Sequence, residues 1–150
     1  MQLPHPQKKI ADCCWLPRIS AKCQLFLRGE MPRNYRVAFG SRVGIDGYFL
    51  RHFHLKLPQL LAAVRKHKST DELADWFLSQ PYVNAKSISI WNELAPRIGS
   101  WGSPGYFTRQ IVKWVLYPKS IRHPVNSIFE AIVQDENLPE KAEQGAAANP

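Results

Sequence analysis

Arg18 and Lys22 stand four positions apart in a segment with helical periodicity, so they lie one above the other on one helix face. Together they can act as an anion clamp, in which the arginine supplies a planar fork and the lysine a point charge for a phosphate or carboxylate. Tyr35 and Asp46 can join them in space. The plainer alternatives are a pair of solvated cations, or an internal ion pair between Arg18 and Asp46. The expected ligand-binding residues are therefore Arg18, Lys22 and Tyr35, with Trp101 from a separate glycine-rich loop. For acid–base work the candidates are Asp46 and His52, a carboxylate and an imidazole that exchange protons between mildly acidic and neutral pH.

Other chemistry finds less support. His52 and His54 flank Phe53, and a His-x-His pair chelates from a strand, where alternate side chains share a face. On a helix the two rings point about 200° apart, and Cys13, Cys14 and Cys23 lie far off in sequence, so no metal site and no cofactor is expected. Cys23 falls on an apolar stripe and reads as core packing, while Cys14 beside Trp15 and near Arg18 has an electropositive setting but no evident base. Trp76, Trp91 and Trp114 occupy helical stripes and read as core anchors. Trp15 and Trp101 fall at a helix start and in a glycine-rich loop, where an aromatic ring can stack on a base or another ring. The segment Gly99-Ser100-Trp101-Gly102-Ser103-Pro104-Gly105-Tyr106 precedes a helix start whose free N–H groups suit an anion, yet it lacks the Gly-Lys-Ser/Thr ending of a phosphate-binding P-loop.

The elements that must position these residues are helical. Pro17 suits the first turn of a helix over 17–28, with Leu16, Ile19, Cys23 and Phe26 as its stripe and Gly29 as a left-handed cap. Residues 29–46 are broken by Gly29, Pro32, Gly40 and Gly44. The alternation from Arg33 to Phe39 suggests a short strand, but no second strand is evident to pair with it, so the segment is expected to be an irregular loop. Asp46 reads as the N-cap of a short helix through Phe53. A helix opened by Pro58 ends in Arg65-Lys66-His67-Lys68, and Ser69 to Glu72 forms a capping box for a helix reaching about Ser79. A further helix spans roughly 86–96. Ser103-Pro104 starts another that Pro118 stops, and Pro124 opens the last, with Val125, Ile128, Phe129, Ile132 and Val133 facing inward. The expected fold is all-α: one compact domain of about seven short helices over residues 1–133, followed by a flexible acidic and alanine-rich tail over 134–150.

At 150 residues, 45% of them hydrophobic and 11% aromatic, the chain can bury a substantial core. No apolar run approaches the ~20 residues that span a bilayer, and no apolar segment follows the charged N-terminus, so neither a membrane partner nor a secretory signal is expected. Three cysteines fit a reducing compartment, and a cytoplasmic location is the expectation. The net charge of +8 conceals an asymmetry: residues 1–122 carry +12 and the last 28 residues −4. A basic body attracts polyanions over about 8–10 Å at physiological salt. Three functions remain in competition. They are a non-enzymatic binding module for an anion (nucleic acid or a phosphorylated small molecule), a small-molecule enzyme with an interhelical acid–base pocket, and a protein-interaction subunit.

Leu16-Pro17-Arg18, Lys22-Cys23, Gly29, Tyr35, Ile45-Asp46 with Phe49-Leu50, Asp71 through Trp76-Phe77, and Trp91-Asn92-Glu93 occur in this order. That ordered set resembles the bacterial family of domains of unknown function numbered 5069, over about residues 12–95. The resemblance implies a small, mostly helical bacterial protein and implies no activity.

Overall fold

The chain enters its first helix through Trp15, whose φ of 70° lies in the left-handed region and whose side chain makes no capping bond. Pro17 in the first turn lacks an N–H that would have no partner there. This helix, α1 (Leu16–Leu27), ends at Gly29 as its sequence predicts. With φ at 71°, Gly29 lets its own N–H reach the Phe26 carbonyl and the Glu30 N–H reach that of Leu25, closing the last turn. The computed structural model describes residues 2–42, 44–99 and 127–139.

The other helices are α2 (Arg33–Ala38), α3 (Ile45–His52), α4 (Leu57–Lys66), α5 (Thr70–Leu78), α6 (Ala85–Leu94) and α7 (Ile128–Asp135), with a 3-10 turn at Ala95–Arg97. The result is a mostly helical single domain. Ser69 caps α5 by accepting from the Glu72 N–H at 3.1 Å, and Asn84 caps α6 by accepting from Ser87 at 2.9 Å.

Several local expectations change. The segment 29–46 is not wholly irregular: α2 forms inside it, begun by Pro32, and among the described residues no strand stands beside 33–39 to pair with them. Gly44 rather than Asp46 holds the N-cap position of α3, and Asp46 lies in the first helical turn. Phe26 is 45% exposed, and Leu25 takes the buried place expected for it. The last helix begins at Ile128, with Ser127 as its cap, instead of at Pro124. The helix expected over 103–118 lies outside the described residues.

A small hairpin was also unforeseen. β1 (Lys9–Ile10) pairs antiparallel with β2 (Cys13–Cys14), joined by Ala11 and Asp12 at φ 51° and 59°. Two successive left-handed residues make the tight hairpin turn usually signalled by Asn-Gly or Asp-Gly. Here α6 holds the hairpin from outside. Asn92 accepts from the Cys14 N–H at 2.9 Å and donates to the Asp12 carbonyl at 2.7 Å, while the Trp91 indole donates to the Cys14 carbonyl at 2.9 Å.

The core centres on Phe49, Phe53, Phe77 and Trp91, all essentially buried, with ring centroids 5.0–6.0 Å apart. Burying each such side chain contributes about 1.5–3 kcal/mol. Among the described residues, no helix is long and apolar enough to cross a membrane.

Candidate functional site

The spacing of Arg18 and Lys22 does place both on one face of α1, but that face is buried: the two residues are 1% and 5% exposed. Four elements close over them. The first turn of α3 brings Asp46, and both Asp46 oxygens receive the Lys22 ammonium, at 3.1 and 3.0 Å. Trp15 donates its indole Nε1–H to Asp46 Oδ1 at 2.9 Å and lays its ring under the cations, 4.9 Å from Lys22 Nζ and 5.6 Å from Arg18 Cζ. Phe129 of α7 stacks on that ring at 5.3 Å. The Gly40 N–H points at Asp46 Oδ2 from 3.4 Å, tying the turn after α2 to the same carboxylate.

Arg18 does not pair with Asp46. Its Nη1 donates to the Pro4 carbonyl at 2.8 Å and its Nη2 to Glu136 Oε1, while Tyr35 of α2 donates its hydroxyl to that same oxygen at 2.7 Å. Arg18, Tyr35 and Glu136 thus form one cluster, and Lys22, Asp46 and Trp15 a second directly beside it.

Glu136 is the residue that sequence reasoning missed, since the helical domain was expected to end at 133. The ordered chain continues further. After α7, Asn137 adopts φ 51°, its N–H reaches the Gln134 carbonyl, and the Leu138 N–H reaches that of Val133 at 2.9 Å. This is the same left-handed closure that ends α1, with asparagine in place of glycine. Leu138 packs on the core and Glu136 is thereby aimed at Arg18. An asparagine followed two residues later by Pro139 was the available signal.

Charges buried in this way shift the protonation of their neighbours. Burial pushes the Lys22 ammonium below its ordinary value, and the Asp46 carboxylate pulls it back up. Burial, followed by the bond to Glu136, raises the Tyr35 phenol to about 12. Cys14 and Cys23 are raised to about 12 and Cys13 is also raised, in each case mainly by burial, so none is an activated thiolate.

The remaining candidates lie elsewhere. His52 donates from Nε2 to the Ser87 carbonyl at 2.7 Å and packs edge-on against Phe53, so it is committed to holding α3 on α6. It is six residues from Asp46 on α3, about 240° around the axis, and does not join the cluster. Trp15, expected at an accessible helix start, is 1% exposed and cannot stack on an external ring. Trp101 and Trp114 lie outside the described residues, as does the glycine-rich loop beyond Gly99. Among the described residues, no three His, Cys, Asp or Glu gather where they could hold a metal ion.

The model of one family, described as "Domain of unknown function (DUF5069)", matches residues 2–137. The chain belongs to that DUF5069 family. The match extends well beyond the 12–95 stretch that carries the resemblance in sequence, and it takes in Glu136 together with Arg18, Lys22, Tyr35 and Asp46. No curated protein and no solved structure matches the chain.

Proposed function

We propose that this protein is a non-enzymatic binding module for a small anionic ligand, recognised by Arg18 and Tyr35. The observation that carries the reading is their convergence on one carboxylate oxygen, Glu136 Oε1, with the Arg18 side chain only 1% exposed. A buried guanidinium and a phenol aimed at one point are donors placed for an oxyanion. Lys22, Asp46 and Trp15 form the frame behind them and keep the arginine's surroundings close to electroneutral.

The acid–base reading is weaker. Asp46 Oδ1 receives both Trp15 and Lys22, Oδ2 receives Lys22, and His52 is bonded to a backbone carbonyl outside the cluster. A nucleic acid, by contrast, would meet only surface cations such as Arg28, Arg33, Arg36 and Lys56, because Arg18 and Lys22 face inward. Among the described residues, the exposed large apolar side chains Phe26, Val37, Leu78, Tyr82 and Ile90 lie on α1, α2, α5, the turn after it and α6.

The test is an NMR titration of the full chain with succinate and with inorganic phosphate, following the Arg18 Nε–H and Trp15 Nε1–H resonances. The account expects at least one of these anions to shift both signals saturably. Arg18→Lys keeps the charge and loses the fork, and should weaken that binding by about tenfold or more. No shift with either anion, or equal affinity in Arg18→Lys, would overturn the reading.

A further inference from the structure

We infer that Glu136 is an internal stand-in for the ligand, and that the ligand it stands in for is a carboxylate which binds side-on to Arg18 and displaces it. The inference rests on the anion-binding reading above and concerns how the same site is filled. Glu136 is an imperfect occupant. It meets Arg18 through a single oxygen, which also takes the Tyr35 hydroxyl, while its Oε2 has no partner among the described residues. On the other side, Arg18 Nε is buried and likewise has no partner among the described residues. A buried donor and a buried acceptor left unmade are each costly, and the fork of an arginine is built to engage both oxygens of one carboxylate through Nε and Nη2. Glu136, held at the end of α7 by the Asn137 turn, approaches only one prong of that fork. A free ligand is under no such constraint: one oxygen can take Nη2 and the Tyr35 hydroxyl while the other takes Nε.

Charge selects the class. The two adjoining clusters hold Arg18 and Lys22 against Asp46 and Glu136. Among Arg18, Lys22, Asp46 and Glu136, withdrawing Glu136 leaves a single unmatched positive charge; one carboxylate group seated at the fork neutralises it, whereas a phosphate group buried there brings about −1.5 to −2. Space for the body of such a molecule lies next to the same segments. A hollow of about 340 Å³ between the N-terminal segment and α7 is lined by His5, Gln7, Phe129, Glu130, Val133 and Gln134. His5 is the chain neighbour of Pro4, whose carbonyl already holds Arg18 Nη1.

An internal occupant lowers the apparent affinity by the fraction of time the site stands open, so removing its charge should raise that affinity. The experiment titrates wild-type protein and Glu136→Gln with succinate and with inorganic phosphate, following the Arg18 Nε–H resonance. The expected result is succinate binding about tenfold or more tighter in Glu136→Gln, and tighter than phosphate in both proteins. In the wild type, which needs no variant to fold, saturating succinate should also move the Glu136 side-chain carboxyl ¹³C resonance. Equal succinate affinity in the two proteins, or an unmoved Glu136 resonance at saturation, would overturn the stand-in while leaving the binding module intact. Phosphate binding tighter than succinate would overturn the ligand class. Failure of both proteins to bind either anion would overturn the stand-in together with the reading on which it rests.

Discussion

Trp15 gives its indole Nε1–H to Asp46 Oδ1 at 2.9 Å, so the residue that turns the chain into α1 also holds the first-turn carboxylate of α3. That carboxylate is where Lys22 ends, and the ring beneath it is shared with Arg18. One bond therefore couples the start of a helix to the charge balance of the whole site. Placing two cations in a protein interior costs several kcal/mol per ion, offset by the carboxylates they meet: both oxygens of Asp46 for Lys22, a single oxygen of Glu136 for Arg18.

Removing one partner should consequently cost more than removing both. Lys22→Met is expected to destabilise the fold by about 3–5 kcal/mol, because Asp46 is left as a buried charge that has lost its cation, with Trp15 and the Gly40 amide still donating to it. Asp46→Leu leaves Lys22 in the same position. The double variant Lys22→Met/Asp46→Leu should lose clearly less than the sum, as urea unfolding of the four proteins would show. Strict additivity would mean that the pair is not coupled.

Gly47 predicts a steric result. A Cβ there would sit 2.2 Å from the Ser41 carbonyl oxygen and 2.8 Å from the Arg42 Cα, both of them backbone atoms with little room to move. Gly47→Ala should therefore push the 41–42 turn off α3 and destabilise the protein by about 1–3 kcal/mol, despite alanine's better helix propensity. A stability equal to or above wild type in a thermal melt would show that the turn yields freely.

Much of this architecture was legible in the sequence. Proline in the first turn, glycine past the last and an unbroken stripe of Leu16, Ile19 and Cys23 define α1 by local chemistry alone, and four-residue spacing sets Arg18 above Lys22. Their burial was not legible, because it depends on partners far along the chain, Asp46 and Glu136, and no local pattern distinguishes a solvated cation from one facing a distant carboxylate. The hairpin escaped for a similar reason: Ala11 is a poor residue for its turn, and Asn92 on α6 compensates from the other end of the fold. Glu136 was hidden by composition, since an acidic stretch after the last apolar stripe reads as a tail.

The turn that aims Glu136 can be tested directly. Asn137 holds φ 51°, a conformation asparagine and glycine tolerate and β-branched residues do not. Asn137→Val should cost about 1–3 kcal/mol and detach Glu136 from Tyr35, whereas Asn137→Gly should be close to neutral. Spectrophotometric titration of the Tyr35 phenol reads the detachment, since its raised value depends in part on Glu136. A phenol titrating identically in Asn137→Val and wild type would contradict the expectation.

Alkaline pH should weaken the fold through identifiable groups. Tyr35 rises from 10.0 to about 12 on folding, and Cys14 and Cys23 from 9.0 to about 12. Across those windows the folded chain keeps protons that the unfolded chain has lost, so stability is fully present below about pH 9 and falls as pH climbs toward 12. Urea midpoints should decline between pH 8 and pH 10.5, and the three thiols should react slowly with a disulfide reagent until the protein unfolds. Fast thiol reaction in the folded protein at pH 8 would contradict the burial that raises them.

The central claim, that Arg18 and Tyr35 form a site for a small anion, is tested most directly by native mass spectrometry of the purified full-length protein at low and at moderate salt. The account predicts one small anionic molecule per chain that survives the higher salt, held by a buried site that ions screen poorly. Nucleic acid that falls away as salt rises, or no bound mass at either salt, would contradict it.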